Sequence, residues 1–208
     1  MNAERRRAPK PVVGACLILG SAFGLGHAAE PPAAASPPGH LSAWPVGVPS
    51  PDFHLQGTHG ERRTMRSFQG YVTVVTFGYA NCPGVCSVEL QKLATAVRAL
   101  GAGRAGVRVV FITLDPERDG PGQLTKFVHR FDPAFVALRG SARQTDEAIR
   151  RFSIESARLP GDGNYLIDHT VQEFVFDRAG HLRFVGAADS TPEDLTHYVS
   201  MLLGTRPS

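Results

Sequence analysis

Two runs constrain this chain more than anything else in it: YVTVVTFGY (Tyr71–Tyr79) and VRVVFITLD (Val107–Asp115). Both are β-branched, aliphatic or aromatic along nearly their whole length. A strand with one wet face alternates apolar and polar residues, whereas a strand buried on both faces does not. These two strands therefore belong inside a sheet that is covered on both sides, and the covering helices must come from the rest of the chain.

The intervening and following segments supply them. Leu90, Leu93, Ala94, Val97 and Leu100 recur at three- and four-residue steps, so Cys86 to about Leu100 reads as an amphipathic helix closed by Gly101. Pro121 to Phe131 reads as a second helix, with proline at its favoured first position. Ala142 to Phe152 reads as a third, with Ala148, Ile149 and Phe152 on one side. VQEFVFD and HLRFVG flank Arg178-Ala179-Gly180, a hairpin signal. A last helix starts at Thr191 as N-cap, followed by Pro192, with Leu195, Tyr198, Val199 and Leu202 inward. A short strand, DFHLQ, precedes all of these. At 208 residues and 42% hydrophobic content the chain can bury one good core, so a single domain is expected. The element order fits an α/β class domain with a thioredoxin-like fold: a central mixed sheet flanked by helices, with a C-terminal β-hairpin and helix.

Cys82 and Cys86 then fall in TFGYANCPGVCSVEL, where the first buried strand gives way to a helix. Ligands gather at this end of the strands in open α/β sheets. A staple between these two would close a tiny loop and restrict the unfolded chain little. Unpaired backbone N–H groups at a helix start favour thiolates. Both points favour function over structure. Thioredoxin-type oxidoreductases place two residues between their cysteines; here there are three, Pro83, Gly84 and Val85. That wider bite can close to a disulfide or leave room for an ion between two thiolates, and soft thiolates with an imidazole suit Cu(I) or zinc. A peroxiredoxin-like peroxidase is disfavoured, because Tyr79 stands where its threonine should be. Among the histidines, His169 stands out: it lies in NYLIDHTVQEFVFD, in a loop expected to face the cysteine turn.

The N-terminus points to export. Arg5, Arg6, Arg7 and Lys10 precede an apolar run, Pro11 to Gly26, and then small residues. Residues 1–29 therefore read as a signal peptide cleaved near Ala28 or Ala29, or as a retained N-terminal membrane anchor with its basic end inside. Cys16 follows too little apolar sequence to be a lipid attachment site. With the basic residues of this leader and its Glu4 set aside, basic and acidic residues are equal in number, so nothing electrostatic argues for nucleic acid. Residues 30–51, rich in Pro, Ala and Ser, read as an extended tether, and residues 52–204 as the folded domain.

FGYANCPGVCSVEL, LDPERDGP and YLIDHT, in this order and at these separations, resemble the Sco/SenC family of copper-binding thioredoxin-fold proteins over Val48 to Leu203. By that resemblance Cys82, Cys86 and His169 are the ligands of one copper ion per chain. The resemblance implies a metallochaperone that assists the dinuclear copper centre of cytochrome c oxidase subunit II, or another copper-accepting protein, by delivering copper or by reducing the target's cysteines. A membrane tether through the N-terminus is common in the family, and a periplasmic location follows from the leader. The sequence departs from the family at Gly84, where many members carry Asp, at Ser87, where Pro is frequent, and at Gly120, where Thr is common. Gly84 is expected to leave the loop pliable through freedom at positive φ. The rival reading is a periplasmic thiol-disulfide oxidoreductase whose redox pair is Cys82 and Cys86, and a copper or redox sensor is a third. Asp115, Glu117, Arg118 and Asp119 read either as a solvated turn or as a loop that docks a partner or shapes the site, and Asp168 is a candidate to orient His169.

Overall fold

The computed structural model describes residues 41–161 and 164–204. In chain order it forms β1 (Leu41–Ala43), β2 (Leu55–Gly57), β3 (Arg62–Arg63), β4 (Val72–Gly78), α1 (Val85–Ala99), β5 (Val107–Thr113), α2 (Pro121–His129), β6 (Val136–Arg139), α3 (Ala142–Arg151), β7 (Ser156–Gly161), β8 (Asn164–His169), β9 (Gln172–Phe176), β10 (Leu182–Ala187) and α4 (Pro192–Leu203). One sheet runs β1-β10-β9-β4-β5-β6-β2-β3, while β7 and β8 pair only with each other. β4, β5 and β6 are parallel and every other pairing is antiparallel. This is the mixed sheet expected from the sequence.

The two apolar runs occupy the centre. Every residue of β4 is buried, and in β5 only Arg108 is partly open. Successive side chains point to opposite faces. Phe77 and Phe174 meet the ring of Phe152, just past α3, at 5.2 and 5.0 Å. On the opposite face Gly78 lies under α1, the Phe111 ring packs at a tilt against Phe127 of α2 at 5.6 Å, and Phe184 meets Tyr198 of α4 at 4.5 Å. Helices thus cover both faces, which is what an unalternating strand requires.

Three elements differ from the sequence reading. The tether does not persist to residue 51: Leu41–Ala43 pairs with β10, Leu41 is buried, and the Trp44 amide donates to the Arg183 carbonyl at 2.8 Å. The ladder needs only backbone groups, so a segment without side-chain periodicity can still cover the open edge of β10. β6 is only four residues long and carries no pattern to separate it from the preceding loop. The β7–β8 hairpin lies outside the main sheet, and the side chains of β7 are mostly exposed, so no alternation marks it.

The proposed leader and the tether up to residue 40 lie outside the described residues. Among the described residues no helix is long and apolar enough to cross a membrane.

Candidate functional site

The site is built where β4 ends. A Cβ on Gly78 would lie 2.9 Å from Cys86 Sγ and 2.8 Å from the Phe111 ring, so only glycine lets the α1 sulfur sit this close to the strand. The chain then turns: the Cys82 amide donates to the Tyr79 carbonyl at 3.2 Å, and Gly84 caps α1. The first turn of any helix leaves N–H groups without intrahelical partners. Gly84 has no side chain to satisfy them, and the Cys82 sulfur takes the role, accepting from the Cys86 amide at 3.4 Å.

The two sulfurs are electrostatically unequal. The Cys86 thiol hydrogen-bonds to Cys82, and with the N–H groups of Gly84 and Cys86 it brings Cys82 down to about 5 against the opposing effect of burial; His169 adds to the same direction. Cys86 is pushed up by the same bond, by its burial and by the neighbouring Cys82 charge. At neutral pH Cys82 is therefore the thiolate and Cys86 the proton donor. Neither cysteine is in a disulfide.

His169 is the last residue of β8, not a loop residue as the sequence suggested. Its Nδ1 lies 3.0 Å from the Thr170 carbonyl, which can only accept, so the proton sits on Nδ1. Nε2 faces Cys86 Sγ at 3.9 Å. Asp168 is exposed and does not orient the ring; the Thr170 carbonyl does. Cys82 and His169 line one cavity of about 300 Å³, whose exposed rim includes Val85, Leu159 and Leu166. Among the described residues no three Cys, His, Asp or Glu side chains already converge at metal-binding spacing, because Cys82 Sγ is turned toward the Cys86 amide.

The loop read as either a solvated turn or a part of the site is divided: Glu117 is exposed, whereas its two aspartates are buried. Asp115 and Asp119 have no exposed surface. Asp119 accepts from the Ala80 amide at 2.9 Å and the Thr113 hydroxyl at 2.6 Å, which fixes the strand exit leading to Cys82. Asp115 pairs with Arg118 and accepts from the Tyr165 hydroxyl at 2.7 Å. Arg118 donates to the Tyr165 carbonyl at 2.8 Å and lies 3.7 Å from the centre of its ring. Tyr165 is on β8, so this loop clamps the strand that ends in His169.

Sequence reasoning missed Tyr79 as a site residue. It is buried, its hydroxyl accepts from the Ile167 amide at 3.2 Å, and its ring stands edge-on to His169 at 6.4 Å. A tyrosine closing an apolar strand beside two cysteines is the signal for it. Gly84 needs correction too: its φ is −179°, an extended value open to any residue, and a Cβ there meets nothing within 4 Å. Positive φ therefore does not explain the glycine.

Residues 48–204 match the family model described as SCO1/SenC. The chain belongs to the SCO1/SenC family. Relatives include a mitochondrial SCO2 homolog of Danio rerio, 36% identical over 65% of this chain and 50% of that protein. A SCO2-like protein of Rickettsia conorii is 30% identical over 71% of this chain and 74% of that one. The chain thus spans about half the length of the zebrafish relative. Among solved structures, copper-bound Arabidopsis thaliana ScoI superimposes with a TM-score of 0.71 at 26% identity, covering 76% of this chain and 99% of that one. Apo Sco1 of Thermus thermophilus gives 0.65 at 32%, covering 78% and 95%. The SCO1/SenC chain described here shares their thioredoxin-like architecture, with the C-terminal hairpin β9–β10 and helix α4 in place.

Proposed function

We propose that this chain is an exported metallochaperone that holds one copper ion through Cys82, Cys86 and His169 and serves assembly of the dinuclear copper centre of cytochrome c oxidase, acting on subunit II or another copper-accepting protein. The observation that carries the reading is the 3.9 Å approach of His169 Nε2 to Cys86 Sγ, with Nδ1 held by the Thr170 carbonyl. Donors about 2.3 Å (sulfur) and about 2.0 Å (nitrogen) from an ion, as for zinc, and about 120° apart, stand roughly 3.7 Å from each other. Two sulfurs and an imidazole form the soft donor set that suits Cu(I). Rotation of the Cys82 side chain away from the Cys86 amide would complete the set. The leader sequence supports export to the periplasm, free or tethered to the membrane. The copper-bound ScoI relative supports the metal.

The thiol asymmetry favours a second reading, reduction of the target's cysteines. The Cys82 thiolate would attack one sulfur of the target disulfide and release the other as thiol. Cys86 would lose its proton and attack Cys82, closing the intramolecular disulfide and freeing the second target thiol, so two electrons pass to the target. His169→Ala separates the two readings. A delivery role predicts that the variant loses copper affinity and fails to restore oxidase activity in a deletion strain. Full restoration by His169→Ala, with failure of Cys82→Ser and Cys86→Ser, assigns the chain to reduction instead.

A further inference from the structure

A second groove, of about 550 Å³, runs along α2, lined by Phe127, Gly122 and Ala80 and by Lys126 and Arg130. Phe127 is buried, whereas Lys126 and Arg130 are exposed. From Gly120 to Phe131 the chain contains no aspartate or glutamate, while it carries Lys126, His129 and Arg130. Among the described residues Lys126 and Arg130 enter no ion pair; Arg130 lies over Phe127 at 5.0 Å instead. This is an apolar floor beside uncompensated positive charge.

The groove is continuous with the site. Ala80 belongs both to it and to the strand exit that Asp119 holds, two residues before Cys82. Gln123 on α2 donates to the Asn81 side chain at 3.2 Å, so the groove wall and the cysteine turn are joined. A segment seated here lies against Ala80, two residues before Cys82.

We infer that this groove docks an acidic segment of the copper-accepting protein, with one apolar side chain on Phe127 and carboxylates against Lys126 and Arg130, so that the partner's thiols meet Cys82. The inference rests on the function proposed above and extends it to the partner's surface. Opposite charge around a contact steers encounter and raises the association rate more than the final affinity, and salt screens it.

The test is the association rate of the reduced, metal-free protein with the soluble copper-accepting domain of cytochrome c oxidase subunit II, measured by stopped flow across a salt series. Lys126→Glu with Arg130→Glu is expected to slow association roughly tenfold at low salt and to flatten its salt dependence. Arg143→Glu with Arg150→Glu, exposed on α3 across the sheet, changes net charge equally and is expected to slow it far less. Equal slowing by both pairs, unchanged rates in the groove variant, or no association at any salt overturns the docking assignment. Vesicles of anionic lipid form the second arm: loss of vesicle binding by the groove variant with partner association intact makes the groove a membrane contact and overturns the assignment. Copper stoichiometry, read separately, is expected to be unchanged in the groove variant, so a failed docking surface and a failed copper site give different results.

Discussion

Buried carboxylates lie on both sides of the cysteine helix, and the two sets are treated in opposite ways. At the strand exit, Asp119 accepts from Ala80 and Thr113, and Asp115 accepts from Tyr165 and pairs with Arg118. Deeper, between α1 and β9, Glu89 and the fully buried Glu173 share one cation, Lys92, with Ser190 donating to Glu173 at 3.0 Å. Here Glu89 Oε1 and Glu173 Oε2 have no partner. Both aspartates use both of their oxygens, whereas each glutamate leaves one idle. The lesson is that a buried acid with its bonds complete fixes geometry, while one with bonds missing stores a cost that pH can release.

Burial, and next the charge of Glu173, push Glu89 up to about 8, even though Lys92 stands 2.9 Å away and pulls the other way. Glu89 is three residues after Cys86 on α1, one helical turn on the same side. Glu173 lies opposite Thr76, two residues before the Gly78 that seats the Cys86 sulfur. The cluster therefore ties α1 to the sheet immediately beneath the cysteine turn.

The largest effect is expected from Lys92→Met, which strips the glutamates of their cation. Stability in urea should fall by about 3–5 kcal/mol, as it does when one partner of a buried charge cluster is removed. A loss below about 1 kcal/mol would mean that the carboxylates simply take up protons at little cost, and the contrast with the aspartates would weaken. Asp119→Ala comes next. It leaves the Ala80 amide and Thr113 hydroxyl without their acceptor, at about 1–3 kcal/mol for each group that water cannot reach. It should also loosen the turn, so that the rate of Cys82 alkylation follows thiolate formation at a higher pH than in wild type. Unchanged alkylation would detach Asp119 from the site and reduce it to a core residue.

The third effect is in the pH profile. An acid whose folded pKa is raised keeps its proton in the fold while the unfolded chain loses it. Stability from Glu89 is thus full below the ordinary glutamate value of 4.5 and is lost as pH rises toward about 8. The change is on the order of a few kcal/mol. Asp119, raised by burial despite its bonds to Thr113 and Ala80, adds a loss of the same sign. Glu89→Gln should flatten the profile between about pH 5 and 8. An equally steep profile in that variant would move the pH dependence elsewhere.

Much of the frame was legible because burial on both faces leaves its mark on composition: β4, β5, all four helices and the β9–β10 hairpin follow from apolar pattern, proline and caps. The cysteine turn was legible because its two cysteines straddle a strand-to-helix turn, where unpaired backbone N–H groups favour thiolates. What escaped has a common physical reason. β1, β6 and the β7–β8 hairpin rest on backbone ladders or on short exposed strands, which impose little on side-chain order. Tyr165 for Asp115, Ala80 for Asp119 and Lys92 for Glu173 are distant in sequence, and an acidic residue in isolation reads as solvated. Glu173 even sits inside an apolar strand, VQEFVFD, and its cation, Lys92, lies 81 positions away on α1.

The central claim is that Cys82, Cys86 and His169 act together on one ion, and copper titration of the reduced and the oxidised chain tests it most directly. Thiolates are the ligand form, and a Cys82–Cys86 disulfide removes both. The reduced protein is expected to bind one copper per chain with sulfur-to-metal charge-transfer absorption, and the oxidised protein none at this site. Equal binding by the two forms would contradict the assignment.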